Sequence, residues 1–405
     1  MRKARIVYCS MRKVETHTTK QKYSEKRKSP GHVPGIFLKI RVSDSPKLGE
    51  FFLSTKHKYM SEHTPNFGIV RFGDRMMREG EQHLRDRGFV RVTVPRIVPA
   101  SGACENVDTL FEIAVAGDFS WFKDGKKRAY FAQTGQLYLE SLLGEGGLPK
   151  VYCAGPSARA EQKVDTRHLT EFEMVEIEFR GSFTQLLSEI ESFITRVVKS
   201  VQSIPEADRS AYGVPQDISH LDSFSKIFPK IRYSDAIQEL GLEWGNDISS
   251  AQEQLLIANH GNGPVLITHF PNPESDRMQS LFKQKKEDLA IKFFNMIPDP
   301  EDNEHVLSSD CVVPFGGECV GSAARVYAYE EFKRRLFSSD MFKRLQQKDD
   351  KAEEGFSWYL SMLRHFPSFP HVGCGFGMSR IFQYLLAEKD ITKVVVLPSN
   401  RATIY

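Results

Sequence analysis

Two arginines that lie eight residues apart around a polar loop are the feature of this sequence that points most directly to chemistry. Arg159 precedes the loop, Arg167 lies within it, and alternating apolar and acidic residues continue to residue 178. Because such alternation predicts a strand, two antiparallel strands joined by the loop would direct both guanidinium groups towards one anion. Guanidinium groups suit phosphate oxygens, and the ring of Phe172 suits a purine. From the residues alone, a solvated surface hairpin is the alternative.

A glycine-rich segment near the C-terminus could also bind a ligand through an arginine. Residues 370–380 read PHVGCGFGMSR and lead into an apolar stretch that predicts a helix over residues 378–388. Glycines allow a backbone to approach a ligand closely, and Arg380 stands on the predicted helix. A tight turn between a strand and a helix, without any ligand, would explain the same glycines.

Two acidic residues lie eight positions apart in a third segment, residues 310–325, which reads DCVVPFGGECVGSAAR. Apolar runs predict successive strands there, so Asp310 and Glu318 could share one cation. Mg²⁺ is a hard ion that prefers one or two carboxylates together with phosphates. Isolated acids at the surface are the alternative interpretation.

Together the three segments resemble, in the family's order, the aspartyl/asparaginyl branch of the class II aminoacyl-tRNA synthetases. Residues 159–178, RAEQKVDTRHLTEFEMVEIE, resemble motif 2 of that family. The resemblance implies ATP as a substrate, with Arg159 on its α-phosphate, Phe172 stacked on adenine and Arg167 in a flexible loop. It also implies that Glu161 and His168 lie near the nucleotide.

Residues 370–380 resemble motif 3, which implies that Arg380 binds the γ-phosphate of a bent ATP. The same resemblance makes Asp310 and Glu318 ligands of Mg²⁺. Catalysis would then rest on Arg159 and Arg380, which neutralise charge while an amino-acid carboxylate attacks the α-phosphorus and pyrophosphate leaves. One departure from the branch is Ser379, which stands where an acidic residue is usual.

Smaller resemblances imply a pocket for the amino acid. Residues 133–140, QTGQLYLE, resemble the segment whose glutamine, here Gln136, contacts the α-amino group. Residues 101–106, SGACEN, resemble a mobile loop that closes on the substrate through Glu105. Glu176 would line the pocket, and Arg325 would read the carbonyl or carboxylate of the substrate side chain.

The choice between the two branches depends on two features of this resemblance: the spacing of Asp310 and Glu318, which is that of the asparaginyl branch, and the residue at position 139. Leu139 stands where the aspartyl branch usually carries a lysine, which favours the asparaginyl branch. Residues 322–324 read SAA where the family usually has Gly-Ser-Gln. The resemblance therefore implies activation of aspartate, asparagine or a close analogue.

Hydrophobic periodicity predicts the elements that must hold these residues. We expect helices over residues 67–87, 183–203, 233–240, 356–364 and 378–388, and strands over residues 89–98, 129–133, 151–154, 173–179, 265–269, 311–314, 318–321 and 394–397. Because the strands come in runs rather than as βαβ repeats, we predict an α+β fold in which helices flank an antiparallel sheet. The predicted domains are a basic, disordered tail (residues 1–34), a short strand-like lead-in (35–54) and a synthetase-like catalytic domain (55–405).

Composition excludes several other classes of protein. No apolar run approaches the roughly 20 residues that span a bilayer, so no membrane association is expected. The six cysteines form no CxxC pair, which argues against a zinc ribbon or a disulfide-rich secreted domain and favours a cytoplasmic location. Residues 1–30 carry a charge of +8 against a total of +3, so the remainder carries −5. Such a body does not suit a broad RNA-binding face.

The length of the chain leads to a hypothesis about the molecule that accepts the activated amino acid. Full-length members of the family carry an anticodon-binding barrel of about 100 residues, for which this chain has no room before its catalytic domain. The leading hypothesis is therefore transfer of the activated amino acid to ammonia or another small nucleophile, as in the archaeal asparagine synthetase that is related to asparaginyl-tRNA synthetase. A tRNA partner is possible but not favoured. We expect a homodimer formed through the helix over residues 67–87 and Pro95.

Two alternatives remain open. The chain could be an asparagine–tRNA ligase that recruits tRNA without an anticodon domain, through residues 1–30. It could also be a catalytically silent binding or regulatory dimer, an interpretation that Ser379 and the altered residues 322–324 leave open.

Overall fold

In a computed structural model of the protein, the described residues are 66–99, 106–114, 128–144, 148–222, 224, 227–284, 286, 288–365 and 369–403. The expected tail over residues 1–34, the expected lead-in over residues 35–54 and Glu105 lie outside them.

Twelve strands lie within the described residues. They are β1 (Val90–Arg91), β2 (Ile97–Val98), β3 (Tyr130–Phe131), β4 (Lys150–Ala158), β5 (Glu171–Arg180), β6 (Lys230–Arg232), β7 (Val265–Thr268), β8 (Pro298–Asp299), β9 (Asp302–Val306), β10 (Ser308–Val313), β11 (Gly317–Ala324) and β12 (His371–Gly377).

Ten α-helices accompany these strands in the same part of the chain. They are α1 (Phe67–Asp86), α2 (Gln136–Gly144), α3 (Phe183–Gln202), α4 (Tyr233–Glu239), α5 (Ser250–Asn259), α6 (Asp276–Lys283), α7 (Tyr329–Ser338), α8 (Asp340–Lys348), α9 (Ala352–His365) and α10 (Met378–Leu386). None of them is long and apolar enough to cross a membrane.

An eight-stranded sheet in the order β1-β4-β5-β12-β11-β10-β7-β6 is the centre of the fold. Its inner pairs are antiparallel, whereas the edge pairs β1/β4 and β6/β7 are parallel. The predicted α+β class, an antiparallel sheet flanked by helices, is confirmed. The sheet places the three sequence segments side by side, because β5, β12, β11 and β10 are consecutive neighbours.

Two long helices pack on one another and cover the sheet. An Asn66 cap begins α1, and a capping box made by Ser182 and Gln185 begins α3, so polar side chains satisfy free backbone N–H groups at both starts. The ring of Phe193 on α3 stacks on Phe376 of β12, with 4.0 Å between centroids. This apolar contact attaches α3 to the middle of the sheet.

A second apolar cluster joins α2 to the helices α7, α8 and α9. Its buried members include Leu137, Phe332, Phe342, Phe356 and Tyr359. Helices α2, α7 and α8 carry residues of the cavity described below, so the cluster supports one of its walls.

The structure departs from the predicted elements in three places. Residues 394–397, predicted as a strand, form bends, because Val394 alone is buried while Val396 and Leu397 are exposed. The strand predicted over residues 89–98 is divided into β1 and β2, since Pro95 cannot donate to a ladder. The glycine-rich segment is neither a loop nor a turn but the central strand β12, followed at once by α10.

Candidate active site

One cavity of about 1210 Å³ opens on the sheet and is lined by β5, β10, β11, β12, α2 and α10. Eleven of the twelve residues predicted from the sequence line it, and the twelfth, Glu105, lies outside the described residues. The eleven are Gln136, Arg159, Glu161, Arg167, His168, Phe172, Glu176, Asp310, Glu318, Arg325 and Arg380. The tertiary structure thus brings together residues that are up to 244 positions apart in the chain.

Arg159 lies at the start of the loop between β4 and β5. Its backbone N–H donates to the carbonyl of Thr170 (2.8 Å), which closes the hairpin. The guanidinium carbon lies 5.5 Å from the centroid of the Phe172 ring. Burial, and to a smaller extent the positive charge of Arg380, lower the pKa of Arg159, whereas Glu318 opposes this. Positive charge gathered at a half-buried aromatic ring suits an anionic ligand that carries a flat base.

His168 and Arg167 belong to the loop itself. The His168 ring is oriented by Asp165, whose carboxylate oxygens lie 2.8 and 2.9 Å from Nδ1. Arg167 Nη2 lies 3.7 Å from Oε2 of Glu253 on α5. Burial raises the pKa of Glu253 to about 7, and the nearby Glu318 adds to the shift.

Gly317 lies beside the ion pair of Arg167 and Glu253, and its backbone position requires a glycine. Its φ of +67° is in the left-handed region, and a Cβ would lie 2.5 Å from Oε2 of Glu253 and 2.8 Å from Nη2 of Arg167. The glycine therefore leaves the space in which the loop arginine meets α5.

Arg380 is the third residue of α10. Its Nη1 donates to the backbone carbonyl of Glu318, at 2.6 Å. A main-chain carbonyl, rather than a side chain at the neighbouring buried Ser379, therefore orients the guanidinium.

Asp310 on β10 and Glu318 on β11 are brought together across the strand pair. Lys292 places its Nζ 2.5 Å from Oδ2 of Asp310. Burial raises the pKa of Asp310 to about 7; Lys292 opposes the shift and Glu318 adds to it. Two hard carboxylates, one of them buried at a cost to its charged form, fit Mg²⁺ beside phosphates.

The other end of the cavity holds Glu176, Gln136 and Arg325. The backbone N–H of Gly135 donates to both oxygens of Glu176 (3.1 and 2.9 Å). Gln136 donates through Nε2 to the carbonyl of Cys374 (3.1 Å) and accepts from Nη2 of Arg325 (2.7 Å). The amide of Gln136 therefore orients the arginine as well as facing the cavity.

Arg325 is paired with Glu178, a residue that the sequence did not single out. Nε and Nη2 of the arginine lie 3.2 and 3.3 Å from the two carboxylate oxygens. Burial raises the pKa of Glu178 to about 7, although Arg325 opposes the shift. A Cβ on Gly373 would lie 1.7 Å from Oε2 of Glu178, so the carboxylate lies over the bare backbone of β12.

Glu140 forms a second layer beneath Arg325, with its Oε1 3.7 Å from Nε. It accepts from the hydroxyl of Tyr359 and from Nδ2 of Asn295 (3.1 Å), and lies 3.3 Å from Nε2 of His371. Burial lowers the pKa of His371, but the hydrogen bond and charge of Glu140 more than compensate and raise it overall. Two carboxylates, one guanidinium and one imidazole therefore share this floor of the cavity.

Several of these residues were missed by sequence reasoning, namely Glu140, Glu178, Glu253, Lys292 and His371. Glu178 shares a face of β5 with Glu176, so strand alternation could have indicated it. Leu139, the position that favoured the asparaginyl branch, is fully buried against Val151 and does not line the cavity.

Comparison with known proteins agrees with this geometry. The family described as "tRNA synthetases class II (D, K and N)" matches residues 55–401. The asparagine–tRNA ligase of Koribacter versatilis is 30% identical over 369 residues, 88% of this chain and 73% of that protein. The one from Pelotomaculum thermopropionicum is 30% identical over 361 residues, 86% and 72% of the two chains.

Two solved structures resemble the fold. Asparaginyl-tRNA synthetase from Pyrococcus horikoshii, complexed with asparaginyl-adenylate, has a TM-score of 0.65 at 27% identity and covers 89% of this chain and 74% of its own. The Entamoeba histolytica enzyme, also with asparaginyl-adenylate, has a TM-score of 0.63 at 25% identity, covering 89% and 72%. The resemblance read from the sequence is confirmed: the chain belongs to the class II tRNA synthetases of the D, K and N group, which are ATP-dependent, AMP-forming ligases that activate amino acids.

Proposed function

We propose that the chain activates asparagine with ATP and transfers it to tRNA. The observation that carries the choice of amino acid is the pairing of Arg325 with Glu178 above the buried Glu140. A neutral carboxamide can accept from the guanidinium and donate to a carboxylate. A substrate carboxylate in the same place would be a third carboxylate beside Glu178, Glu140 and the single guanidinium of Arg325, and burying a further negative charge there is costly.

The acceptor in this proposal differs from the leading hypothesis drawn from chain length. The most similar curated relatives include several asparagine–tRNA ligases, and their names support tRNA rather than ammonia. Amide formation from aspartate remains the competing reaction. It would require an aspartate carboxylate to lie beside Arg325, where Glu178 and Glu140 already lie.

The residues around the cavity have different roles in the proposed reaction. Arg159 and Arg380 hold the phosphates and neutralise charge on the α-phosphorus, while Phe172 stacks on adenine. Mg²⁺ held by Asp310 and Glu318 would supply further positive charge to the phosphates. Since the amino-acid carboxylate is already ionised at neutral pH, it attacks without a general base, and pyrophosphate leaves.

Glu161, Arg167 and His168 are placed in the proposal around the nucleotide, on the loop after β4. At the other end, Gln136 binds the α-amino group, Glu176 lines the amino-acid pocket, and Glu105 belongs to the segment assigned to closure. These roles follow from the resemblance and from the shared cavity.

A homodimer is part of the proposal. Apolar side chains are exposed on α1 and after Pro95: Phe67 (64%), Val70 (40%) and Ile97 (50%), with Phe131 opposite Ile97 at 46%. Exposed apolar groups of this kind suit a second copy of the chain. Light scattering should report a dimer, which Ile97→Glu together with Phe131→Glu should convert to a monomer. A monomeric wild type would contradict this part.

We also propose a cytoplasmic location, which the unpaired buried cysteines Cys153, Cys311, Cys319 and Cys374 support.

The main proposal is tested by measuring amino-acid activation and by identifying the product of the transfer step. ATP–pyrophosphate exchange is measured with asparagine and with aspartate, and products are identified by mass spectrometry with tRNA or with ammonium. We expect exchange with asparagine and asparaginyl-tRNA as product, both lost in Arg380→Leu. Free asparagine formed from aspartate and ammonium would establish the competing reaction. Absence of Mg–ATP binding in calorimetry would favour a silent regulatory protein.

A further inference from the structure

Lys292 is a cation inside the cavity to which the proposed reaction assigns no role. It lies in the connection between α6 and β8 and lines the cavity, with 17% of its side chain exposed. Its Nζ lies 2.5 Å from Oδ2 of Asp310 and 3.8 Å from the centroid of the Phe270 ring. A carboxylate and an aromatic face therefore hold the ammonium group from two sides.

The surroundings of Lys292 are predominantly acidic. Besides Asp310, the charges of Glu318 and Asp247 act on the ammonium group and favour its charged form. Glu253 acts on Asp310 as well. Without Lys292, Asp310 would be left among the carboxylates of Glu318 and Glu253, whereas Arg159 and Arg167 still act on Glu318.

We propose that Lys292 is the resident counter-cation of Asp310, so that the enzyme binds divalent metal weakly until ATP arrives with it. The inference rests on the proposed Mg–ATP site. The ammonium group occupies one lone-pair site of Asp310, and its charge repels a second cation. Mg²⁺ gives up its water reluctantly and is bound by carboxylates together with phosphates. The negative triphosphate therefore supplies the attraction that the paired carboxylates lack.

The contacts that the structure shows place Lys292 at the proposed metal site. Its Nζ lies against Asp310 and over Phe270. Because an ammonium group has three donors, a further contact with a phosphate oxygen is tested separately below. Lys292 thus acts through Asp310 and is a positioning residue.

The test measures Mn²⁺ binding by electron paramagnetic resonance, on the full chain, with and without ATP. Lys292→Met removes the charge and keeps the unbranched shape. We expect it to bind Mn²⁺ at least tenfold more tightly than wild type without ATP, with a much smaller difference when ATP is present. Lys286→Met, whose ammonium pairs with the exposed Glu243, is the matched control and should equal wild type.

A second measurement covers the case in which the variant is less stable. Lys292→Met leaves Asp310 without its partner, so its melting temperature should fall and Mn²⁺ alone should restore it. The wild-type melting temperature should be unmoved by Mn²⁺ without ATP. Lys292→Arg keeps the charge and should behave like wild type in both measurements.

Three outcomes would overturn the inference in distinguishable ways. If wild type binds Mn²⁺ with ATP but Lys292→Met leaves nucleotide-free Mn²⁺ affinity within twofold, the counter-cation role is wrong while the metal site stands. If the variant loses ATP affinity with no change in metal binding, Lys292 is a phosphate ligand. If neither protein binds Mn²⁺ under any condition, and Asp310→Asn changes nothing, the proposed metal site fails as well.

Discussion

The guanidinium of Arg325 meets the carboxylate of Glu178 at two points, Nε to Oε1 at 3.2 Å and Nη2 to Oε2 at 3.3 Å, with both side chains buried. Neither partner can be solvated if the other is removed, so the pair acts as a unit. In the proposed function, the pair sets the charge that the side chain of the amino acid meets.

Glu178→Gln should therefore change which amino acid is preferred. The carboxamide removes the negative charge that Glu178 can carry beside Arg325 and leaves that of Glu140, so an aspartate carboxylate is disfavoured less. We expect the ratio of kcat/KM for aspartate over asparagine in pyrophosphate exchange to rise at least tenfold. Glu171→Gln, an exposed change on the same strand, is the control. An unchanged ratio in Glu178→Gln would separate Glu178 from substrate choice.

Gly373→Ala should displace Glu178. The added Cβ would lie 1.7 Å from Oε2 and 2.6 Å from the backbone oxygen of Ile177 on the neighbouring strand, so both the carboxylate and the strand pair would have to shift. Overpacking of this kind costs about 1–3 kcal/mol, and amino-acid activation should fall with it. Gly73→Ala is the control, because in α1 its Cβ would meet nothing closer than 3.9 Å and alanine is the better helix former. Urea unfolding measures both; equal effects would contradict the close approach.

Phe172→Leu should weaken ATP binding without affecting the amino acid. Stacking of a base on an aromatic ring contributes roughly 1–3 kcal/mol, so KM for ATP should rise about tenfold or more. KM for asparagine should stay within twofold and is the internal control. A rise in both constants would show instead that the ring supports the whole cavity.

Glu253→Gln should alter the pH dependence of stability without ATP. The pKa of Glu253 is raised by burial from 4.5 to about 7, so the folded protein keeps a proton that the unfolded chain has lost within that window. This group therefore lowers stability as pH rises from about 4.5 to 7. The variant lacks the effect, and its stability relative to wild type should grow by about 3 kcal/mol over that range.

Urea unfolding at about pH 4 and pH 8 checks this difference. A variant whose relative stability is flat with pH would mean that Arg167, 3.7 Å away, compensates the buried charge of Glu253 fully.

The sequence by itself determined the parts of this protein that depend on local pattern. The periodicity of apolar residues predicted α1 and α3 almost to their ends, and alternation predicted β5. The resemblance of residues 159–178 and 370–380 to two motifs of the synthetase family implied a nucleotide site around Arg159, Phe172 and Arg380, because such motifs are continuous segments of sequence.

Only the tertiary structure determined which other side chains surround those residues. Glu140 and His371 are 231 positions apart in the chain, yet they belong to one buried network. Lys292 contacts Asp310 from a segment in which the sequence showed no motif. Leu139 distinguished the branches but lies in the core, while Glu178 lies against Arg325. The reason is physical: the charge balance of a buried site depends on which side chains share its low dielectric, and the sheet order, not the spacing along the chain, brings them together.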